Sequence, residues 1–264
     1  IGVPIPPAWT SVVIPASGNY LVKGIDAAGR PQSKQTDEAT QRGLDSKFER
    51  GARVNEAIPK IVAETSQGLK EGSEEASVAR LMYLTGFRIG GEQVTGAKQQ
   101  AYGASTLRAE HVSINGDEVT FDFIGKSGVR QQHVILDADL AEDIAARKAR
   151  GGKLFSTNED KVMAFLRRVS GLDDMKNHDV RTWNATDLAR FLVESVDAPT
   201  TETDYWLKRD AVADVVARKL GDTRKVVLDR YIDPNVFAKW QESAKMQDAG
   251  NRPAISRKVA ESRG

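Results

Sequence analysis

The sequence has no cysteine, which excludes disulfides, thiolate metal sites and cysteine nucleophiles and is compatible with the cytosol. Its three histidines, His111, His133 and His178, show no metal-ligand spacing. No stretch approaches the roughly 20 apolar residues that a membrane span needs. No basic segment followed by an apolar run opens the chain, as a leader would. Net charge is nearly absent too: 38 Lys and Arg against 37 Asp and Glu leave +1. A uniformly basic coat for nucleic acid is thereby excluded. Any DNA surface must be a local concentration of Lys and Arg balanced by acid elsewhere. There is no internal repeat and no long low-complexity segment. What is present is length: 264 residues suffice for one large domain or two smaller ones with a real core. The chain opens on Ile1 rather than Met, as expected of a trimmed or processed product.

Residues 1–42 read as a small antiparallel β-domain. Val12-Val13-Ile14 forms a strand, Ser17-Gly18-Asn19 a turn, Tyr20 to Ile25 a second strand, Ala28-Gly29 a turn, and Pro31 to Gln35 a third strand. From Asp45 the pattern turns helical, with Phe48, Val54, Ile58, Ile61 and Val62 sharing a face and Pro59 as a break or kink. Ser73 or Ser77 can cap the next helix, which ends near Thr85-Gly86. Val112 to Leu136 reads as a three-stranded meander. Asn115-Gly116 marks its first hairpin, Gly125-Lys126-Ser127-Gly128 its second, and Val134 and Leu136 lie on the third strand. Everything after Asp137 reads helical, with breaks at Gly151-Gly152, Gly171, Pro199 and Gly221, and a polar tail helix is expected from Asp248 onward. The fold class is therefore α+β: the small β-domain plus a mainly helical domain, 43–264, with a three-stranded sheet.

The segment Lys219 to Pro234 organises the functional reading. Gly221 ends one helix, Asp222 offers an acceptor to cap the next, and that helix brings Arg224, Lys225 and Arg230 beside Tyr231. A tyrosine among guanidinium groups suggests a nucleophile aimed at phosphate. Arg88, after a helix end, Lys126, on a glycine-flanked hairpin tip, and Arg181 complete the set. Each also has a plain structural explanation. Tyr231 could pack beside Val227, Arg88 could pair with Glu92 four residues on, and Lys126 and Arg181 could be solvated surface charges.

Together the segments resemble the type IB DNA topoisomerases of the small bacterial and poxvirus-like kind. The resembling segments are Ile5-Pro-Pro-Ala-Trp-Thr10, Gly29-Arg-Pro-Gln32, Lys47-Phe-Glu-Arg50, Thr85-Gly-Phe-Arg-Ile-Gly90, Tyr102 to Arg108 with His111-Val112, Phe123-Ile-Gly-Lys-Ser-Gly128, Val180-Arg-Thr-Trp-Asn-Ala-Thr186 and Arg230-Tyr-Ile232. They run in the family's order. The resemblance implies that Tyr231 is the nucleophile, that Arg88 and Arg181 clamp the scissile phosphate, and that Lys126 is the general acid for the departing 5′-hydroxyl. It implies DNA contacts from Arg30, Gln32, Lys34, Arg108, Lys225 and Arg230. It further implies duplex DNA as partner, no metal or other cofactor, and a cytoplasmic, nucleoid-associated monomer.

Three departures accompany the resemblance. Asp222 stands nine residues before the tyrosine, where the family has a histidine or asparagine that donates to a phosphate oxygen. An ionised Asp only accepts. Ser33-Lys34-Gln35 replaces the stretch that carries DNA-facing tyrosines, so base contacts do not carry over. Only four residues precede Ile5, so part of the family's N-terminal sheet is expected to be missing. Two alternatives stand beside the topoisomerase. One is a tyrosine site-specific recombinase, whose His-x-x-Arg box fits His178 to Arg181. The other is a DNA-binding homologue that has lost catalysis through Asp222.

Overall fold

A computed structural model describes residues 4–91 and 100–246. The Arg88–Glu92 pairing and the tail helix from Asp248 lie outside the described residues. The chain divides into two compact units, residues 1–49 and 50–264.

In the first unit, alternation builds the antiparallel sheet β1 (Thr10–Val13), β2 (Tyr20–Ile25) and β3 (Pro31–Gln35), in that order. Val22 is buried on β2. Asp26 organises the β2–β3 turn, accepting from the backbone N–H groups of Ala28 and Arg30 and from the side chains of Arg30 and Gln32.

Helix α1 (Asp37–Lys70) begins earlier than the sequence pattern suggests and passes unbroken through Pro59. Thr36 explains the start, because its hydroxyl accepts from the Ala39 N–H. Pro59 cannot donate to the Asn55 carbonyl. Both residues are exposed, so water can meet the orphaned carbonyl and the helix continues.

The second unit contains α2 (Glu74–Thr85), the sheet β4 (Val112–Asn115), β5 (Glu118–Ile124) and β6 (Arg130–Leu136), then α3 (Ala138–Lys148), α4 (Glu159–Ser170), α5 (Asp179–Glu194), α6 (Glu202–Leu220), α7 (Arg224–Arg230) and α8 (Ala238–Ser243). Ser73, Asp137, Asn158 and Thr201 cap α2, α3, α4 and α6 through side-chain oxygens. The architecture is α+β, as the sequence implies. No helix among the described residues is long and apolar enough to cross a membrane.

Two hydrophobic clusters hold this unit. One joins the sheet to α2, α3, α4 and the start of α5; the other joins the rest of α5 to α6, α7 and α8. The third strand shows how register decides a face. Val119, Phe121 and Phe123 point inward on β5, and their antiparallel partners are Ile135, His133 and Gln131. Cross-strand partners share a face. The inward set on β6 is therefore partly polar, while Val134 and Leu136 point outward at 64% and 82% exposure.

Candidate active site

Arg88 is aimed by its neighbours. Phe87 and Ile89 are buried, and the Phe87 ring packs edge-on against Phe121, Phe123 and His133. The Arg88 carbonyl accepts from Ala104 N–H at 2.9 Å and the Ile89 carbonyl from Ser105 N–H at 2.7 Å. The two backbone segments approach so closely that a Cβ on Gly103 would lie 2.6 Å from the Arg88 carbonyl oxygen. With its flanks fixed, the Arg88 side chain extends into a cavity of about 760 Å³.

Arg181 sits in the first turns of α5, whose start is anchored by a buried ion pair between Arg50 and Asp179 at 2.9 Å. Its guanidinium bridges two helix ends. Nη1 donates to the Gly86 carbonyl after α2 and Nη2 to the Leu220 carbonyl at the end of α6, each at 2.5 Å. Helix C-termini carry orphan carbonyls and partial negative charge, so a cation is favoured there. Burial lowers the Arg181 pKa from its ordinary value and the Asp222 carboxylate opposes this; an arginine stays charged regardless.

Helix α6 closes with the Asp222 N–H donating to the Ala217 carbonyl and the Gly221 N–H to that of Arg218, the two-bond pattern of a left-handed glycine stop. Gly221 has φ +60, and a Cβ there would lie 1.8 Å from the Gln131 side chain of β6. Asp222 does not cap α7. Thr223 does, accepting from the Val226 N–H at 3.3 Å. The Asp222 carboxylate turns instead to the arginines, 2.5 Å from Arg181 and 3.3 Å from Arg88.

Tyr231 follows the last residue of α7. Its N–H donates to the Val227 carbonyl, and its own carbonyl accepts from the Thr186 hydroxyl at 3.0 Å. The ring is buried among Val227, Ile232 and the second hydrophobic cluster, so the packing explanation holds for the ring. The hydroxyl has a different environment: it accepts from Arg88 Nη1 at 3.1 Å. Arg181 Cζ lies 5.2 Å from the ring centroid, within cation–π range. Two guanidinium groups that contact the tyrosine thus come from Arg88 and Arg181, far from it in sequence. Arg224 instead pairs with Asp210 and Asp214.

Lys126 is exposed on the β5–β6 turn, where Ser127 takes φ 63. It lines the same cavity as Arg88, Arg181 and Asp222. The second unit therefore gathers a tyrosine hydroxyl, two arginine forks, a lysine and a carboxylate from four separated chain segments, Asp222 and Tyr231 sharing the last of them. Guanidinium forks match phosphate geometry. A phenol held against one of them suits attack on a phosphodiester.

A family model described as the catalytic core of eukaryotic DNA topoisomerase I matches residues 36–253. The chain belongs to the DNA topoisomerase I catalytic-core family. It is also similar to the DNA topoisomerase 1B of Acanthamoeba polyphaga mimivirus, 27% identical over 211 residues, which cover 76% of this chain and 58% of the viral protein. The chain thus spans little more than half the length of that topoisomerase.

The other residues to which the topoisomerase resemblance assigns DNA contacts are dispersed. Arg30 and Gln32 both donate to Asp26, and Lys34 to the Pro4 carbonyl, all in the first unit. In the second unit Arg108 pairs with Glu110 and Lys225 with Asp229. Arg230 is exposed at the end of α7.

Gln131, His133 and Thr186 were not singled out from sequence. The signal for the first two was the polar pair facing inward beside Phe123 and Phe121. Burial first, then Lys219 and Arg181, push the His133 pKa from 6.5 down to about 4. The folded state thus binds fewer protons here than the unfolded chain between those values, and stability is lost as pH falls through this window. The loss at about pH 4.5 should be about 2 kcal/mol. His133→Gln is expected to remove that part of the pH dependence, measured by urea unfolding at pH 7 and about pH 4.5. Equal pH dependence in the two proteins would contradict the assignment.

Proposed function

We propose that this chain is a type IB DNA topoisomerase, which relaxes supercoiled duplex DNA by transient cleavage of one strand. The observation that carries the reading is the Tyr231 hydroxyl held by Arg88 while Arg181 lies against the same ring. In the proposed step the Tyr231 oxygen attacks a backbone phosphorus. The Oη–P bond forms, the P–O5′ bond breaks, and the phenolic proton leaves to solvent. Lys126 gives a proton to the departing 5′ oxygen. Arg88 and Arg181 bear the charge that grows on the non-bridging oxygens. The strand is then held as a 3′-phosphotyrosyl ester, which conserves the bond energy. Attack by the 5′-hydroxyl reverses each transfer and reseals the strand, so ATP is not required. Arg108, Lys225 and Arg230 are proposed phosphate contacts, and Arg30, Gln32 and Lys34 proposed contacts of the first unit.

The test is relaxation of supercoiled plasmid in EDTA without ATP. Topoisomers should appear. Resolution of branched junctions without relaxation would support the recombinase instead.

Lys126 has a test of its own. Lys126→Ala should slow cleavage of ordinary DNA by about 10²–10⁴-fold, the range for losing a general acid. It should have little effect on a 5′-bridging phosphorothiolate, because a thiolate leaves without a proton. Equal defects on both substrates in single-turnover cleavage would make Lys126 an electrostatic contact.

A further inference from the structure

The Asp222 carboxylate lies where two guanidinium forks converge. Oδ2 is 2.5 Å from Arg181 Nη2 and 3.3 Å from Arg88 Nη2, and Oδ1 accepts from Arg88 at 3.5 Å. Arg88 uses its other nitrogen on the Tyr231 hydroxyl. A planar anion shared by two arginines, next to a nucleophile on one of them, has the charge and contacts a phosphate would have at that point. The backbone holds it there. The Asp222 N–H closes α6, and Thr223 has taken over the cap of α7, leaving the carboxylate free of that task. The Asp222 side chain is 15% exposed and that of Arg181 3% exposed, so the pair is shielded from water, where ion pairs are stronger than on an open surface.

From this geometry we infer that Asp222 is a resident phosphate surrogate. It positions the two arginine forks in the free protein, and a DNA phosphate must displace it to reach them. The inference rests on the proposed topoisomerase reading for the identity of the incoming phosphate. It concerns binding, which can be measured without any cleavage. Displacement leaves an anion beside the bound phosphate, so the carboxylate lowers both DNA affinity and the number of phosphates the site effectively neutralises. In the DNA complex the same charge opposes the build-up of negative charge on the phosphate.

The experiment measures binding of a short duplex to Tyr231→Phe protein, with and without Asp222→Asn, over a series of salt concentrations. Asp222→Asn should tighten binding severalfold at low salt. It should also steepen the plot of log affinity against log salt by up to about 0.9, the value for one more neutralised phosphate. With Tyr231 restored, single-turnover cleavage should be faster in Asp222→Asn. An unchanged or shallower slope with weaker binding would overturn the proposal, because Asp222 would then serve only to hold the arginines in place. Asp222→Ser is measured in parallel, so that a folding defect peculiar to one variant does not decide the result. Unfolding of both would also overturn it, by making the carboxylate a structural ion-pair partner. Binding that responds as expected in a protein that forms no covalent adduct would retain the surrogate and reject the topoisomerase.

Discussion

Under the proposed function, Tyr231→Phe is expected to lower plasmid relaxation by at least about a thousandfold, as loss of the nucleophile does in covalent catalysts, while DNA affinity stays within about threefold. The separation follows from what the substitution removes. Phenylalanine keeps the ring in its cluster with Val227 and Ile232 and against Arg181. Only the hydroxyl, one acceptor for Arg88, is lost. Affinity for DNA is dominated by cationic contacts to phosphate, and none of those is a phenol. The fold should lose about 1 kcal/mol for the missing hydrogen bond. Relaxation and filter-binding assays on the same preparations separate the two properties. Retained relaxation would remove Tyr231 from the chemistry. Affinity falling in parallel with activity would show a disturbed surface rather than a missing nucleophile.

Arg181→Lys should reduce single-turnover cleavage by about 10²–10³-fold, comparable with the loss of one preorganised oxyanion donor. Charge is conserved, so a purely coulombic role would leave the rate almost intact. Geometry is not conserved. The arginine fork spans the Gly86 and Leu220 carbonyls and the Asp222 carboxylate together. An ammonium on a flexible stem cannot reproduce that planar arrangement. Because those carbonyls end two helices, the substitution should also cost stability, by about 1–3 kcal/mol for a buried acceptor left unpaired. Rates must therefore be compared at a temperature where thermal melts show both proteins folded. Near-wild-type cleavage by a folded Arg181→Lys protein would place Arg181 outside the reacting centre and leave it a structural clamp.

Much of this fold is legible because it is local. The Asn115-Gly116 hairpin, the glycine that ends α6 and the alternating Val119, Phe121 and Phe123 each act through neighbours in sequence. The readings that changed depend on distant partners or on competition between neighbours. Thr223, not Asp222, caps α7, since Asp222 is drawn to two arginines 41 and 134 residues away. Pro59 does not interrupt α1, because Pro59 and Asn55, whose carbonyl loses its usual donor, are both exposed residues that water can reach. On β6 the apolar pair Val134 and Leu136 faces outward, since register with β5 leaves the inward face to Gln131, His133 and Ile135.

The site divides in the same way. The residue types at Arg88, Lys126, Arg181, Asp222 and Tyr231 were visible as motifs in order along the chain. What the motifs did not reveal is how the groups are held: the Arg50–Asp179 pair behind α5, the two helix ends gripped by Arg181, and Thr186 fixing the Tyr231 carbonyl. Nor did they show that Asp222 contacts both arginines while Tyr231 shares one of them. These are tertiary contacts, and a single sequence contains no local signal for them.

The most direct measurement is to quench the wild-type protein with denaturant during reaction on end-labelled duplex DNA, in EDTA and without ATP, and to map the covalent adduct by peptide sequencing. Attack by Tyr231 requires DNA joined through its 3′ phosphate to the peptide containing Tyr231, with a free 5′-hydroxyl on the other strand fragment. No adduct, a 5′ linkage, or a linkage to any other residue would contradict it.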